Sequence, residues 1–116
     1  MTYQPPFWIL IKIHSKPAVI KVLAGWNGGY LDGSSWRLNS GVKEVEYDGD
    51  NILFHGYSGS TYICHKDNRG VNGASAGAFE WLKKEIKEKF GYEVTVIEDI
   101  TNEDSIYVRP PSGVRT

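Results

Sequence analysis

The chain has 116 residues, and 41% of them are apolar, which is enough for one compact domain with its own hydrophobic core. The net charge of −1 provides no broad positive field for duplex nucleic acid or an anionic membrane, and no stretch approaches the roughly 20 apolar residues of a membrane helix. The single cysteine, Cys64, excludes an internal disulfide and fits a reducing compartment. Because the first residues also lack the pattern of a signal peptide, we expect a cytoplasmic protein.

The first part of the chain is rich in short segments that favour strands. Residues 7–13 and 18–24 are dense in branched and aromatic side chains, and Ser15-Lys16-Pro17 marks a turn between them. After a glycine-rich loop at 25–34, further strands are predicted at 36–38, 42–47, 51–55 and 60–65, with a tight-turn signal at Asp48-Gly49. This pattern predicts a meander of antiparallel strands.

The second part of the chain contains one strong helical signal, over about 75–90. Its apolar face recurs at helical spacing and consists of Phe79, Leu82, Ile86 and Phe90. Ser75 is predicted to cap the start of the helix, and Gly91 suits the left-handed position at its end. Residues 92–97 alternate well enough to predict one more strand.

The expected fold class is therefore α+β, in a single domain over 1–116. We expect a twisted antiparallel sheet of about five to seven short strands with one main helix packed on one face. The C-terminal segment, at about 107–116, is expected to form an arm that is flexible or crosses to a neighbouring subunit. A small domain with exposed strand edges and many aromatic residues must protect both, so we expect a homo-oligomer of at least two subunits.

The residue types that usually carry catalysis are not arranged for it. Cys64 and His65 are adjacent on a predicted strand, where neighbouring side chains point to opposite faces and cannot form a nucleophile–base pair. The three histidines are scattered, without the short spacings of a zinc site. We therefore predict no catalytic residue, no metal site and no cofactor, and we do not expect an enzyme.

The loop before the helix is the strongest candidate for a binding site. Glycines let a ligand approach the backbone, amides at a helix start can hold an anion, and Arg69 adds a positive charge. These features predict that a phosphate or carboxylate contacts Arg69, Gly70, Asn72, Gly73 and Ser75. The alternative is an ordinary connection whose glycines and asparagines only adopt positive φ, because the loop matches neither a Walker A nor a dinucleotide motif.

Two further features support a nucleotide-like ligand. Arg109 and Arg115 lie in a C-terminal segment that Pro110 and Pro111 stiffen, and this segment could reach over a phosphate; the alternative is an exposed, frayed terminus. Trp36 and Tyr62 stand beside small residues, where flat rings can stack on a nucleobase. We predict all four side chains to be ligand contacts.

Two sequence blocks carry a resemblance to known proteins. The block Ser35-Trp36-Arg37-Leu38-Asn39-Ser40-Gly41-Val42, followed by Gly56-Tyr57-Ser58-Gly59-Ser60-Thr61-Tyr62-Ile63-Cys64-His65-Lys66, resembles small proteins of tailed phages. With its strand-rich body, helix and basic C-terminal arm, the chain is similar to the Thoeris anti-defence sponges. The resemblance implies an oligomer that sequesters cyclic ADP-ribose-type signals or cyclic oligonucleotides without cleaving them. It also implies that Arg109 and Arg115 contact the ligand.

The function expected from the sequence is non-catalytic capture of a small phosphorylated nucleotide by a phage counter-defence protein. The second interpretation is an inhibitor that binds a host defence protein or a CRISPR effector through a protein surface. The third is an enzyme that degrades a nucleotide signal.

Overall fold

The described part of the chain, residues 1–28 and 34–110 of this computed structural model, contains nine strands, one 3₁₀ turn and one long helix. In chain order these elements are β1 (Thr2–Tyr3), β2 (Phe7–Ile13), β3 (Val19–Trp26), β4 (Ser35–Leu38), β5 (Val42–Asp48), β6 (Asn51–Gly56), β7 (Thr61–His65), the 3₁₀ turn (Lys66–Asn68), α1 (Gly73–Phe90), β8 (Val94–Ile97) and β9 (Tyr107–Val108). Each strand predicted from the sequence is present, with bounds that move by at most two residues.

The strands divide between two sheets, where a single sheet of five to seven strands was expected. The first sheet has the order β1-β7-β6-β5-β9, and the second has the order β4-β3-β2-β8. The pairs β1–β7 and β5–β9 are parallel, and the other pairs are antiparallel. The α+β class and the main helix packed on a sheet are confirmed.

Strand β2 shows why two sheets form, since it is buried on both of its faces. Trp8 and Leu10 point into a core between the two sheets, while Ile9 and Ile11 point into a second core beneath α1. A continuous apolar run is the pattern expected of a strand covered on both sides. The domain is therefore layered as sheet, sheet and helix, with β2 and β3 in the middle layer.

The helix begins two residues earlier than predicted and has a different cap. Asn72, not Ser75, is the N-cap, and its side-chain Oδ1 accepts a hydrogen bond of 2.8 Å from the Ser75 backbone N–H. The Ser75 Oγ accepts in return from the Asn72 backbone N–H at 3.0 Å, which completes a capping box. Gly91 ends the helix in the left-handed conformation, with φ of 77°, as predicted. No helix within the described ranges is long and apolar enough to cross a membrane.

The C-terminal segment is tied to the first sheet over its described part. Tyr107 and Val108 pair in parallel with Glu44 and Val45 of β5, and the Arg109 backbone N–H donates to the Val45 carbonyl at 2.8 Å. The expectation of a flexible or subunit-crossing arm from residue 107 is therefore wrong for residues 107–109. Residues 111–116 lie outside the described ranges.

Candidate functional site

In the loop predicted to hold an anion, several N–H groups already donate hydrogen bonds to other groups of the protein. The Gly70 backbone N–H donates to the Trp8 carbonyl at 2.8 Å, and the amides of Asn72 and Ser75 are occupied by the capping box. Asn72 Nδ2 also donates to the Trp26 carbonyl at 2.8 Å, and both Asn72 and Ser75 are buried. The Gly70 amide and Asn72 Nδ2 therefore tie the loop to the second sheet, and the Asn72 and Ser75 amides complete the helix cap. The ligand roles of Gly70, Asn72 and Ser75 stay predictions. Gly73 is the first helical residue, and a Cβ added there would meet nothing within 4 Å.

Arg69 packs against the protein instead of extending into solvent. Its guanidinium carbon lies 4.3 Å from the centre of the Trp8 ring, a cation–π geometry. One guanidinium nitrogen, Nη1, is buried and has no hydrogen-bond partner among the described residues. The side chain therefore covers Trp8, and its ligand role stays a prediction.

Arg109 is engaged by two carboxylates of β5. Its guanidinium forms ion pairs with Glu44 and Glu46, the latter at 2.7 Å, and Glu46 also accepts from His55 Nε2 at 3.1 Å. In the structure the charge of Arg109 is therefore compensated by these two carboxylates, and its predicted contact with a phosphate stays a prediction. Arg115, the other predicted cation, lies outside the described residues.

The two aromatic residues predicted to stack on a base lie on different sheets. Tyr62 is 1% exposed, its ring centre is 4.8 Å from that of Tyr3, and burial raises the pKa of its phenol to about 12. Tyr62 is a core residue, and its predicted stacking on a base stays a prediction. Trp36 is 42% exposed on β4, where it is the backbone pairing partner of Gly25 in β3. A Cβ added to Gly25 would contact the side chains of Asn72 and Ser75. Of the predicted aromatic pair, only Trp36 is accessible.

The one thiol is not activated. Cys64 is fully buried between the sheets, and burial raises the pKa of its thiol far above the ordinary value. His65, the next residue, lies on the opposite face of β7, as the strand periodicity predicts. Within the described ranges no group of three His, Cys, Asp or Glu residues is placed to hold a metal ion.

A polar pocket lies at the end of β7, on the outer side of the first sheet. Its lining consists of Gln4, Pro5, Pro6, Asn51, Ile63, His65 and Asn68, and its volume is about 330 Å³. The size lies within the roughly 300–1,000 Å³ range of small-molecule sites. We refer to it below as the His65 pocket.

The chemistry of the His65 pocket is neutral and rich in hydrogen-bonding groups. The side-chain amides of Gln4, Asn51 and Asn68 each offer two donor hydrogens and an acceptor oxygen. His65 Nδ1 accepts from the Asp67 backbone N–H at 3.1 Å, so Nε2 carries the hydrogen of the neutral ring and is the donor. None of the described lining residues has a carboxylate, and the Asp67 carboxylate lies 3.9 Å from His65 Nδ1.

The pocket is positioned by hydrogen bonds from buried parts of the fold. Trp8 Nε1 donates to the His65 carbonyl at 2.8 Å, which joins the two sheets at this point. The Lys66 backbone N–H donates to the Asp50 carbonyl at 2.9 Å and fixes the chain that leaves β7. Strand β1, paired with β7, brings the segment 4–6 against the same end of the sheet.

Sequence reasoning missed this pocket for a physical reason. Side-chain amides such as Asn51 and Asn68 are common in turns, and nothing in their local pattern separates a turn residue from a ligand contact. The pocket also depends on a parallel pairing between two short, distant strands. From the sequence alone, His65 stands out only as the neighbour of Cys64 and as one of three scattered histidines.

Comparisons of the chain with protein-family models, with curated proteins and with solved structures find no match in any of the three.

Proposed function

We propose that the protein binds a small nucleotide-like ligand in the His65 pocket and holds it without cleaving it. The observation that carries this proposal is the lining of the pocket, in which three side-chain amides and one imidazole surround apolar surface from Pro5, Pro6 and Ile63. Amide groups match the mixed donors and acceptors of a base edge or a ribose, and proline and isoleucine offer a flat apolar contact. The ligand roles predicted for the loop before α1, for Trp36 and Tyr62 and for the C-terminal arginines stay separate predictions.

The proposal of holding without cleavage rests on the state of the possible nucleophile. Cys64 is buried with a raised pKa, and its sulfur lies on the core side of β7, whereas the pocket is on the outer side. The sequestration of an immune signal by a cytoplasmic phage counter-defence protein, which the sequence resemblance implies, is the biological role that such binding would serve. The homo-oligomer expected from the sequence stays part of this proposal and is tested by light scattering.

Native mass spectrometry after incubation with a nucleotide extract tests the proposal. An intact nucleotide retained by the folded protein is the expected result. A released, chemically altered nucleotide would instead indicate an enzyme. No retained ligand would favour the second interpretation, an inhibitor that binds a protein partner, for which exposed apolar side chains such as Trp81 and Tyr107 would supply contacts.

Single substitutions then test whether the ligand binds in the His65 pocket. His65→Ala and Asn68→Ala should each weaken binding of the retained nucleotide, measured by calorimetry, by about 1–3 kcal/mol, the cost of a lost hydrogen bond to a polar or charged group. His14→Ala is the matched control, because His14 is an exposed histidine that contacts Thr95 and lies outside the pocket. Equal affinity of the parent, His65→Ala and Asn68→Ala would remove the pocket from the binding site.

A further inference from the structure

A second depression lies on the other sheet, between β3 and the C-terminal half of α1. It has a volume of about 320 Å³, and its apolar lining includes Ile13, Val19, Ile86, Phe90 and Tyr92. It is open because β4 pairs with β3 only from Leu23 to Trp26, which leaves the first residues of β3 without a neighbouring strand on that side. We refer to it as the Lys21 groove, after the one charged residue in its lining.

Lys21 is an unusual residue for this position. It is half-buried in a mostly apolar lining, and the burial lowers the pKa of its ammonium group. Its Nζ donates to the Asn39 carbonyl at 3.1 Å, and within the described residues it forms no ion pair with a carboxylate. An ammonium group has three donor hydrogens, so two remain for a ligand.

Lys21 is the polar group of the groove that can bind an anion. Ser40 also lines the groove, but its Oγ is turned toward the first sheet, where it accepts a hydrogen bond of 3.0 Å from the Ser58 backbone N–H. A single ammonium group, with no carboxylate among the described lining residues, favours an acceptor that carries one negative charge.

Aromatic side chains form the opposite wall of the Lys21 groove. Phe90 and Tyr92 stack with ring centres 6.2 Å apart and planes at 12°. Phe90 is the last residue of α1, and it is 66% exposed although it is one of the largest apolar side chains in the domain. The left-handed turn at Gly91 lets the chain reverse between the two rings. A stacked, exposed aromatic pair is a surface on which an apolar ligand body gains by leaving water.

We propose that the Lys21 groove binds a small amphipathic carboxylic acid. The carboxylate pairs with the Lys21 ammonium, and an aromatic or aliphatic body lies along Phe90 and Tyr92. A phosphate dianion fits less well, because a single cation in apolar surroundings cannot compensate the desolvation of two charges. This ligand chemistry differs from that of the His65 pocket, and the two sites lie on different sheets.

Naphthylacetate and its neutral amide, naphthylacetamide, form a matched pair of probes for this proposal. Titration followed by heteronuclear NMR should shift the backbone amide signals of Lys21, Ser40 and Tyr92, with the acid binding roughly tenfold or more tighter than the amide. Lys21→Met should abolish this preference and keep binding of the amide. Lys84→Met is the control, because it removes the same charge from an exposed helical position outside the groove and should leave the preference unchanged.

Phe90→Ala tests the aromatic wall and should weaken the acid and the amide by the same factor. Equal affinity of the two probes for the parent protein would overturn the proposal, as would a preference for the acid that survives in Lys21→Met. Failure of either probe to bind at millimolar concentration would also overturn it. If sedimentation shows that Phe90→Ala converts a dimer into a monomer, the groove is an interface between two copies of the chain and the proposal is wrong.

Discussion

The side-chain oxygen of Asn72 lies directly against the backbone of Gly25. A Cβ built on Gly25 would stand 2.6 Å from Asn72 Oδ1 and 2.9 Å from Ser75 Oγ. Asn72 reaches this position because its Nδ2 donates to the carbonyl of Trp26, the next residue of β3. The capping box of α1 is thus seated on the middle strand of the second sheet, and Gly25 provides the space for it.

Replacement of Gly25 by alanine should therefore loosen the helix. The added methyl group must displace either the Asn72 amide or the Ser75 hydroxyl, and overpacking of this kind costs about 1–3 kcal/mol. Urea denaturation of Gly25→Ala should show this loss in the free energy of unfolding. Gly77→Ala is the control within the helix, because a Cβ at Gly77 meets nothing within 4 Å, and it should raise stability by up to about 1 kcal/mol. Equal stability of both variants would contradict the close packing at Gly25.

For α1, the sequence predicts the presence of the helix and its C-terminal end but not its N-cap residue. The spacing of Phe79, Leu82, Ile86 and Phe90 was sufficient to predict α1 and its end at Gly91. The sequence predicts the cap at Ser75, because serine is a good N-cap residue and lies just before the apolar face. Asn72 and Ser75 are both cap-forming residue types three positions apart, and only the contact of Asn72 with β3 decides between them.

The sheets show a different limit. The pattern of residues 7–13 predicted a strand but not a second sheet, although its burial on both faces requires one. Strands β1 and β9 have two residues each, which is too short for a period to be detected, and both pair in parallel with distant strands. The His65 pocket and the pairing of Arg109 depend on these two short strands, so sequence reasoning could not locate either.

Arg69 offers a test of what a half-buried guanidinium contributes over Trp8. Its Nη1 has no hydrogen-bond partner in the part of the chain that the structure describes. An unsatisfied buried donor costs about 1–3 kcal/mol, whereas the cation–π contact contributes about 0.5–2 kcal/mol. Arg69→Met keeps a long apolar chain over the indole and removes the unpaired donor, so it should be about as stable as the parent. Arg69→Ala also removes the cover over Trp8 and should be less stable than Arg69→Met by about 1 kcal/mol.

Urea denaturation followed by tryptophan fluorescence measures both Arg69 variants. If Arg69→Met loses as much stability as Arg69→Ala, the charge is needed. A bound water or anion would then satisfy Nη1 in solution, and the predicted ligand role of Arg69 would gain support.

Two truncations separate the structural and the ligand-binding roles of the C-terminal segment. Ending the chain after Tyr107 removes Val108 and Arg109, and with them the bond to the Val45 carbonyl and the ion pairs with Glu44 and Glu46. Because the Arg109 side chain is 45% exposed, its ion pairs contribute little, and we expect a total loss of about 1–2 kcal/mol. Ending the chain after Pro110 keeps all of these contacts and should leave the thermal midpoint unchanged.

Scanning calorimetry of the two truncated chains distinguishes these outcomes. Identical midpoints would show that β9 contributes nothing to stability. Release of a bound nucleotide after the cut at Pro110 would show instead that residues 111–116, which include Arg115, contact the ligand as the sequence resemblance implies.

The buried acidic groups of the inter-sheet core predict a loss of stability at high pH. Burial raises the pKa of the Cys64 thiol well above its ordinary value and that of the Tyr62 phenol to about 12. In the unfolded chain these groups lose their protons near pH ~8.5 and ~10, respectively. Above each value the unfolded chain binds fewer protons than the folded one, so the free energy of unfolding falls as the pH rises.

Cys64→Ala isolates the contribution of the thiol from that of the other groups. The parent protein should lose stability from about pH 8.5 upward, with a limiting slope of roughly 1.4 kcal/mol per pH unit for the thiol, and lose it more steeply above about pH 10. The lowered pKa of Lys21 acts in the opposite direction, but it is common to both proteins and cancels in their difference. Cys64→Ala starts from lower stability because it leaves a small cavity, and between about pH 8.5 and about pH 10 it should lack the decline that the thiol causes in the parent. Urea denaturation across this range measures the difference, and parallel curves for the two proteins would show that the thiol is not held neutral by the fold.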